Sequence, residues 1–196
     1  MKTLLIIVLV ITLGTAQAQT YRHSVGIGVE RVGLDAPDGS GNRYLAQYTR
    51  HLRQDRLALQ GALGYASVPN RRYLVNNYSI DGRRRERFTA DVTLAFDFLK
   101  SPRQALRLGV GPSAWYRRED LLQSARYTLS STGEVTNVRA NWRSEQELNW
   151  GYNLLLEYEY ALTSQVVVSG NIKLVSVNAP GAGFNAIYGL GAGYRW

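Results

Sequence analysis

The chemically capable groups of this 196-residue chain are 15 acidic side chains, 23 Lys and Arg, and two histidines, with no cysteine. Glu157 and Glu159 stand two apart, and Asp91 and Asp97 also fall on one face of an alternating segment. Paired carboxylates can perform acid–base work such as glycoside hydrolysis. These pairs, however, sit where a strand's inner face is expected to be polar anyway, so no catalysis is assigned to them. His23 and Ser24 are adjacent and therefore point to opposite faces of a strand, which rules out a nucleophile–base dyad. His51 has Thr49 two residues away, not Ser. Two separated histidines and no cysteine provide no metal-ligand spacing. Gly26 and Gly28 belong to a strand pattern and do not open a helix that could cradle phosphate. No catalytic, cofactor-binding or metal-binding residue is assigned, and no enzyme is expected.

The basic residues are more suggestive. The stretch 68–87 contains Arg71, Arg72, Arg83, Arg84, Arg85 and Arg87 against Asp81 and Glu86, with Tyr73 and Tyr78 interspersed. Guanidinium groups grip phosphate through two parallel hydrogen bonds, so a phosphorylated surface is a natural ligand. A basic aromatic patch would also suit nucleic acid, but the N-terminus directs the chain elsewhere. Lys2, the apolar run Leu4 to Leu13 and Ala16-Gln17-Ala18 have the order of a secretory signal with its cleavage site. The apolar run is too short for a membrane-spanning helix, which needs about 20 residues. The expected organisation is a cleaved signal over 1–18 and one domain over 19–196. Nucleic acid is not an expected partner.

These groups must be carried on strands. Glu86 to Lys100 sets Phe88, Ala90, Val92, Leu94, Phe96 and Phe98 against Thr89, Asp91, Thr93, Ala95 and Asp97. That is a period of two, which no helix produces. The alternation recurs over Ser24 to Arg31, Arg43 to Leu52 (with Leu45 on the polar face), Leu57 to Ser67, Ala105 to Arg117, Glu145 to Tyr160, Gln165 to Val175 and Phe184 to Trp196, making eight strands. Short turns at 53–56, 101–103 and 162–164 interleave strictly with long links at 33–42, 68–85, 118–144 and 178–183. Such interleaving is required of a barrel with one short-turn rim and one long-loop rim. A Greek-key sandwich has no reason to produce it. Aromatic residues cluster at the strand ends of the apolar face. Phe96, Phe98, Tyr158, Tyr160, Tyr194 and Trp196 lie toward the short turns; Tyr44, Tyr65, Phe88, Tyr116, Trp150 and Tyr152 lie toward the long links. Amphipathic rings favour the two membrane–water boundaries.

The final stretch, Tyr188-Gly189-Leu190-Gly191-Ala192-Gly193-Tyr194-Arg195-Trp196, resembles the last strand of outer-membrane proteins, an alternating strand ending in an aromatic residue. Strand number and size resemble the small OmpA/OmpX-like barrels. The resemblance implies an all-β, eight-stranded, antiparallel up-and-down transmembrane barrel in the bacterial outer membrane. It also implies recognition by the barrel-assembly machinery, with Tyr194 and Trp196 as the assembly signal. A monomer is expected, with membrane lipid and lipopolysaccharide as partners.

The interior of so narrow a barrel is filled by its own side chains. The inward set reads Glu30, Asp91, Asp97, Glu147, Glu157 and Glu159 opposed by Arg107, Lys173 and Arg195, with His51 as a candidate addition. Buried charges are costly alone, so a paired network is expected. The resulting functional expectation is a structural or surface-interaction protein whose basic loop, carrying Arg71, Arg72, Arg83, Arg84, Arg85 and Arg87, engages lipopolysaccharide or an external partner. Three rivals stand beside it. One is a narrow solute channel. Another is a lipid A-modifying enzyme, since the outer-membrane lipid A deacylases are similar in size and strand number; they use a His and a Ser two residues apart, which this chain lacks. The third is a soluble lipocalin-like barrel, which would need Phe88, Val92, Leu94 and Phe96 to point inward.

Overall fold

A computed structural model describes residues 22–33, 40–52, 56–68, 72–75, 78–83, 85–99, 101–129, 135–178 and 184–196. The segment read as an export signal lies outside them, as do Arg71 and Arg84. The strands are β1 His23–Gly33, β2 Ser40–Leu52, β3 Leu57–Ser67, β4 Arg72–Val75, β5 Tyr78–Asp81, β6 Arg85–Asp97, β7 Gln104–Leu129, β8 Val135–Ala161, β9 Val166–Val177 and β10 Phe184–Arg195. Eight of them close into one barrel in the order β1-β2-β3-β6-β7-β8-β9-β10, with β10 returning to β1, while β4 and β5 form a separate two-stranded ribbon. Every neighbouring pair in the barrel is antiparallel.

Period-two alternation determines which side each residue faces, and the observed faces match the pattern. Ile27, Leu63 and Leu190 stand outward at 72, 69 and 74 % exposure. Phe88, Val92, Leu94 and Phe96 are exposed too, whereas Thr89, Asp91, Thr93, Ala95 and Asp97 of the same strand are buried. This polarity is inverted relative to a lipocalin-like barrel. In water, such a continuous apolar belt would far exceed the patch a soluble monomer tolerates. Covered by hydrocarbon, it costs nothing, while the closed ladder satisfies the backbone groups that lipid cannot.

Two links differ from the expectation. The 68–85 connection contains the β4–β5 ribbon, and the expected long loop over 118–144 is mostly strand. β7 and β8 continue pairing past Arg118↔Gln146 through Leu122↔Trp142 and Tyr127↔Val138 to Leu129↔Val135. Apolar pairs recur along this arm, so its sequence keeps the alternation that propagates a ladder. Arg85 and Arg87, expected in a loop, are inward-facing residues at the start of β6, because Arg85 pairs in register with Glu119 and Arg87 with Arg117.

One interruption sits in the wall. Between β6 and β7 the ladder runs to Asp91↔Ser113 and resumes at Leu94↔Val110. Pro112, which has no N–H to give, lies in the gap. The Asn153 side chain, fully buried, closes it by donating from Nδ2 to the carbonyls of Gly111 and Pro112, each 3.1 Å away, and its Oδ1 accepts from Thr93 at 2.7 Å. A Cβ on Gly111 would lie 1.9 Å from the Val92 carbonyl oxygen, whereas one on Gly61 would meet nothing within 4 Å. Gly111→Ala should therefore cost about 1–3 kcal/mol of stability through backbone displacement, and Gly61→Ala less than about 0.5 kcal/mol. Urea unfolding of the vesicle-embedded barrel, followed by tryptophan fluorescence, checks the pair. Equal midpoints would contradict the close approach.

Candidate functional site

The lumen is the first place to look for function, and four strands supply its central cluster. Glu30 on β1 and Arg43 on β2 face each other in register. Arg43 donates from its two terminal nitrogens to Glu30 at 3.0 Å and to Asp91 on β6 at 2.7 Å. Lys173 on β9 donates to the same Asp91 oxygen at 3.1 Å and lies 3.8 Å from Glu30. The other Asp91 oxygen accepts from Ser113 at 2.5 Å, and Ser113 in turn accepts from the Trp115 indole at 3.1 Å. All six side chains are buried, Arg43 completely. Two cations thus meet two anions, with Glu30 Oε1 and Arg43 Nε left without a hydrogen-bond partner, and it is charge pairing that makes such burial tolerable. Two glycines make the space. A Cβ on Gly64 would lie 2.5 Å from Arg43 Nε, and one on Gly189 would lie 2.5 Å from Glu30 Cγ.

A second ionic layer lies toward the short turns. Arg107 on β7 donates to Glu157 at 2.7 Å and to Glu159 at 2.8 Å, both on β8. Glu157 also accepts from Gln60 on β3 at 3.0 Å, and Glu159 accepts from Arg195 on β10. His51 and Thr49 are buried at the same end. The two layers are separated by Thr93 and Asn153. A cavity of about 30 Å³, lined by Gln47, Thr49, Ser169, Asn171, Glu157 and Glu159, has room for one or two waters. Toward the loops, Val32, Val68, Trp115, Val175, Val177 and Ile187 pack together inside the barrel as a dry layer.

The expected lumen residues are therefore split. Glu30, Asp91 and Lys173 form the first layer; Arg107, Glu157, Glu159 and Arg195 form the second. Asp97 is buried but serves the backbone, accepting from Leu99 N at 3.0 Å and Leu106 N at 3.1 Å to hold the β6–β7 turn. Glu147 lies apart at the loop rim and pairs with Arg117 at 2.7 Å. Arg43, absent from the expected set although its position on the polar face was evident, is the centre of the first layer.

The basic loop residues also divide. Arg85 and Arg87 approach Glu119 at 3.5 and 3.6 Å, and Arg87 lies over the Trp115 ring at 5.9 Å. Both are turned into the barrel mouth. Arg72 and Arg83 are exposed: Arg72 lies 3.5 Å from Asp81, and Arg83 sits 5.2 Å above the Trp142 ring, which Tyr73 also meets edge-on. The β4–β5 ribbon and its flank thus lean on the β7–β8 arm.

Aromatic rings border the belt at both ends. Tyr65, Phe88 and Tyr116 run side by side at the loop end, 5.3 and 6.4 Å apart. At the other, Phe96 meets Phe98 at 5.0 Å and Trp196 stacks between Tyr194 and His23.

The chain's architecture matches several solved structures. The attachment invasion locus protein Ail of Yersinia pestis superposes with a TM-score of 0.55 over 91 % of this chain and 100 % of its own, at 14 % identity. A major outer membrane protein of Thermus thermophilus gives 0.60 over 91 % and 100 %, at 12 % identity. Neisserial surface protein A gives 0.53 over 88 % and 95 %, at 16 % identity. The fold is that of the small outer-membrane β-barrels. No protein-family model and no curated protein sequence matches the chain.

Removing Arg43 should be severe, because Glu30 and Asp91 would be left with Lys173 alone. Arg43→Met is expected to cost about 3–5 kcal/mol. Adding Glu30→Gln should recover part of that loss, because the layer then keeps one matched pair, Lys173 with Asp91 at 3.1 Å, and strands no charge. The urea midpoints of the wild type and the two variants in vesicles test this, and a double variant no better than the single would contradict it.

Proposed function

We propose that the chain is a non-catalytic outer-membrane barrel that presents a surface-interaction site at its long-loop end. The observation that carries this reading is the β7–β8 arm. Its partner strands stop early: β6 ends in register with Glu119, and β9 ends in register with Gly151. Beyond those points no other described strand pairs with either edge of the arm, and strand edges are where a partner can add by backbone pairing. The arm is also two-faced. Leu122, Trp142, Ala125, Ala140, Tyr127 and Val138 share one side, while Arg143, Ser124, Asn141, Arg126 and Arg139, with Leu121, share the other.

The lumen supports a structural role over conduction. Two charge-matched layers and an apolar layer lie in series across it, and the channel rival needs a continuous wet path. Catalysis is disfavoured on similar grounds: Glu157, Glu159 and Asp91 are buried and already engaged by cations. Ail has been solved in complex with the heparin analogue sucrose octasulfate. A polyanion is accordingly the partner class we favour for the exposed Arg72 and Arg83, with Arg71 and Arg84 beside them in sequence, and lipopolysaccharide phosphates are the nearest such group. Tyr194 and Trp196 are read as the signal for the barrel-assembly machinery.

Purified protein in planar bilayers should show no steady unitary current, and lipid A from expressing cells should keep its acyl pattern by mass spectrometry. Immobilised lipopolysaccharide should capture the barrel, and Arg72→Gln with Arg83→Gln should weaken capture roughly fivefold per charge removed. Steady currents would favour the channel; undiminished capture would dissociate these arginines from the role.

A further inference from the structure

The two rims differ in the carboxylates that stand among their arginines. At the loop end, Arg72, Arg85, Arg87, Arg117 and Arg143 each have a carboxylate within 4 Å, while exposed Arg31, Arg83, Arg118, Arg126 and Arg139 have none among the described residues. At the short-turn end, Arg22, Arg50 and Arg56 are exposed and Arg103 half-exposed, and among the described residues none has such a partner. The carboxylates nearest in sequence and register are withdrawn: Asp97 is buried on backbone amides, and Glu159 is buried on Arg107 and Arg195. Every charged side chain that reaches solvent at this end, among the described residues, is therefore a guanidinium.

These groups occupy one continuous arc. The Arg22 carbonyl accepts from His51 N on β2, and Arg22 N donates to the Trp196 carbonyl beyond β10. Arg50 pairs across to His23 on β1 and to Leu59 on β3. The Arg56 carbonyl accepts from Asp97 N on β6, and that of Arg103 accepts from Ala161 N on β8. Arg50 is on the outward face, two residues past Tyr48 and level with exposed Leu59. That places a cation at the edge of the apolar belt, beside the rings of Tyr48, His23 and Trp196. It is the depth at which a lipid phosphate sits, and guanidinium is suited to phosphate by charge and fork geometry.

We propose that this arc, centred on Arg22, Arg50 and Arg56, is a binding site for the headgroups of anionic phospholipids in the leaflet that the short turns face. The outer-membrane reading makes this the periplasmic leaflet; the site itself needs only the belt and the arc. It is separate from the polyanion surface proposed at the loop end.

The test uses the full barrel refolded in neutral detergent and titrated with phosphatidylglycerol or phosphatidylcholine, with bound lipid read by native mass spectrometry. Phosphatidylglycerol should be retained over phosphatidylcholine. Arg22→Gln, Arg50→Gln and Arg56→Gln together should weaken retention by roughly fivefold per arginine, and Arg50→Gln alone by about that single factor. The loop-end variant Arg31→Gln with Arg118→Gln should leave retention unchanged. Faster migration of unboiled protein on a gel shows that each variant is folded. Wild-type retention by the folded triple variant would overturn the proposal. So would equal retention of phosphatidylcholine, loss in the loop-end variant instead, or displacement by millimolar inorganic phosphate, which would mark a site for the free ion.

Discussion

Closure of the sheet between β1 and β10 governs the rest of the structure. A strand in hydrocarbon cannot leave its amide and carbonyl groups unpaired, because lipid offers no substitute for water. A ring of antiparallel strands solves this only if the chain keeps its register around the whole circumference, from Ser24↔Arg195 through the remaining pairs and back to β1. Once the ring is closed, inside and outside are separated residue by residue along every strand. The outer face must then be apolar, and the inner face must fill a space too narrow for anything but side chains. The Pro112 gap shows how strict the rule is: where the wall lacks a bond, the amide of Asn153 replaces it from within.

The interior answers that constraint with charge rather than oil. Two layers of ion pairs, each with cations and anions in equal number, pin strands that are distant in sequence. Arg43 holds β2 to β1 and β6, and Arg107 with Glu159 and Arg195 joins β7, β8 and β10. Such layers suit a barrel because each pairing specifies a register, and a slip by one residue would swing every charge into the lipid. In the proposed reading the rims carry recognition, and among the described residues solvent-reaching carboxylates stand among the arginines at the loop end alone.

Much of this was legible in the sequence because it depends on period and parity. The strand containing Phe88 to Phe96 announces its outer face, and the alternation of short and long links announces the barrel. What was not legible depends on distances across the ring. Arg43 was visibly inward, but its role follows from Asp91 lying opposite it in the closed barrel, 48 residues later in the chain. Arg85 and Arg87 looked like loop residues because β6 begins with charge, and a strand's polar end resembles a link. The arm over 118–144 was hidden for the complementary reason: Ser, Thr, Asn and Arg fill its sequence, while the ladder is sustained by sparse pairs such as Leu122 with Trp142. The contrast between rims cannot be read from composition at all. It appears only when each carboxylate is placed: Asp81, Glu145 and Glu147 reach solvent at the loop end, while Asp97 and Glu159 at the other are buried.

The first ionic layer also bears on how such a barrel can form. Its four charges come from β1, β2, β6 and β9, so Glu30 waits for Lys173, which lies most of the chain away. Until nearly all strands are assembled, these groups must remain hydrated, and the nascent sheet cannot seal around them. Neutralisation is therefore a late and collective event, typical of chains whose contacts are distant in sequence. The layer acts as a checkpoint: an incomplete ring stays wet at its centre, and only the finished one can dry.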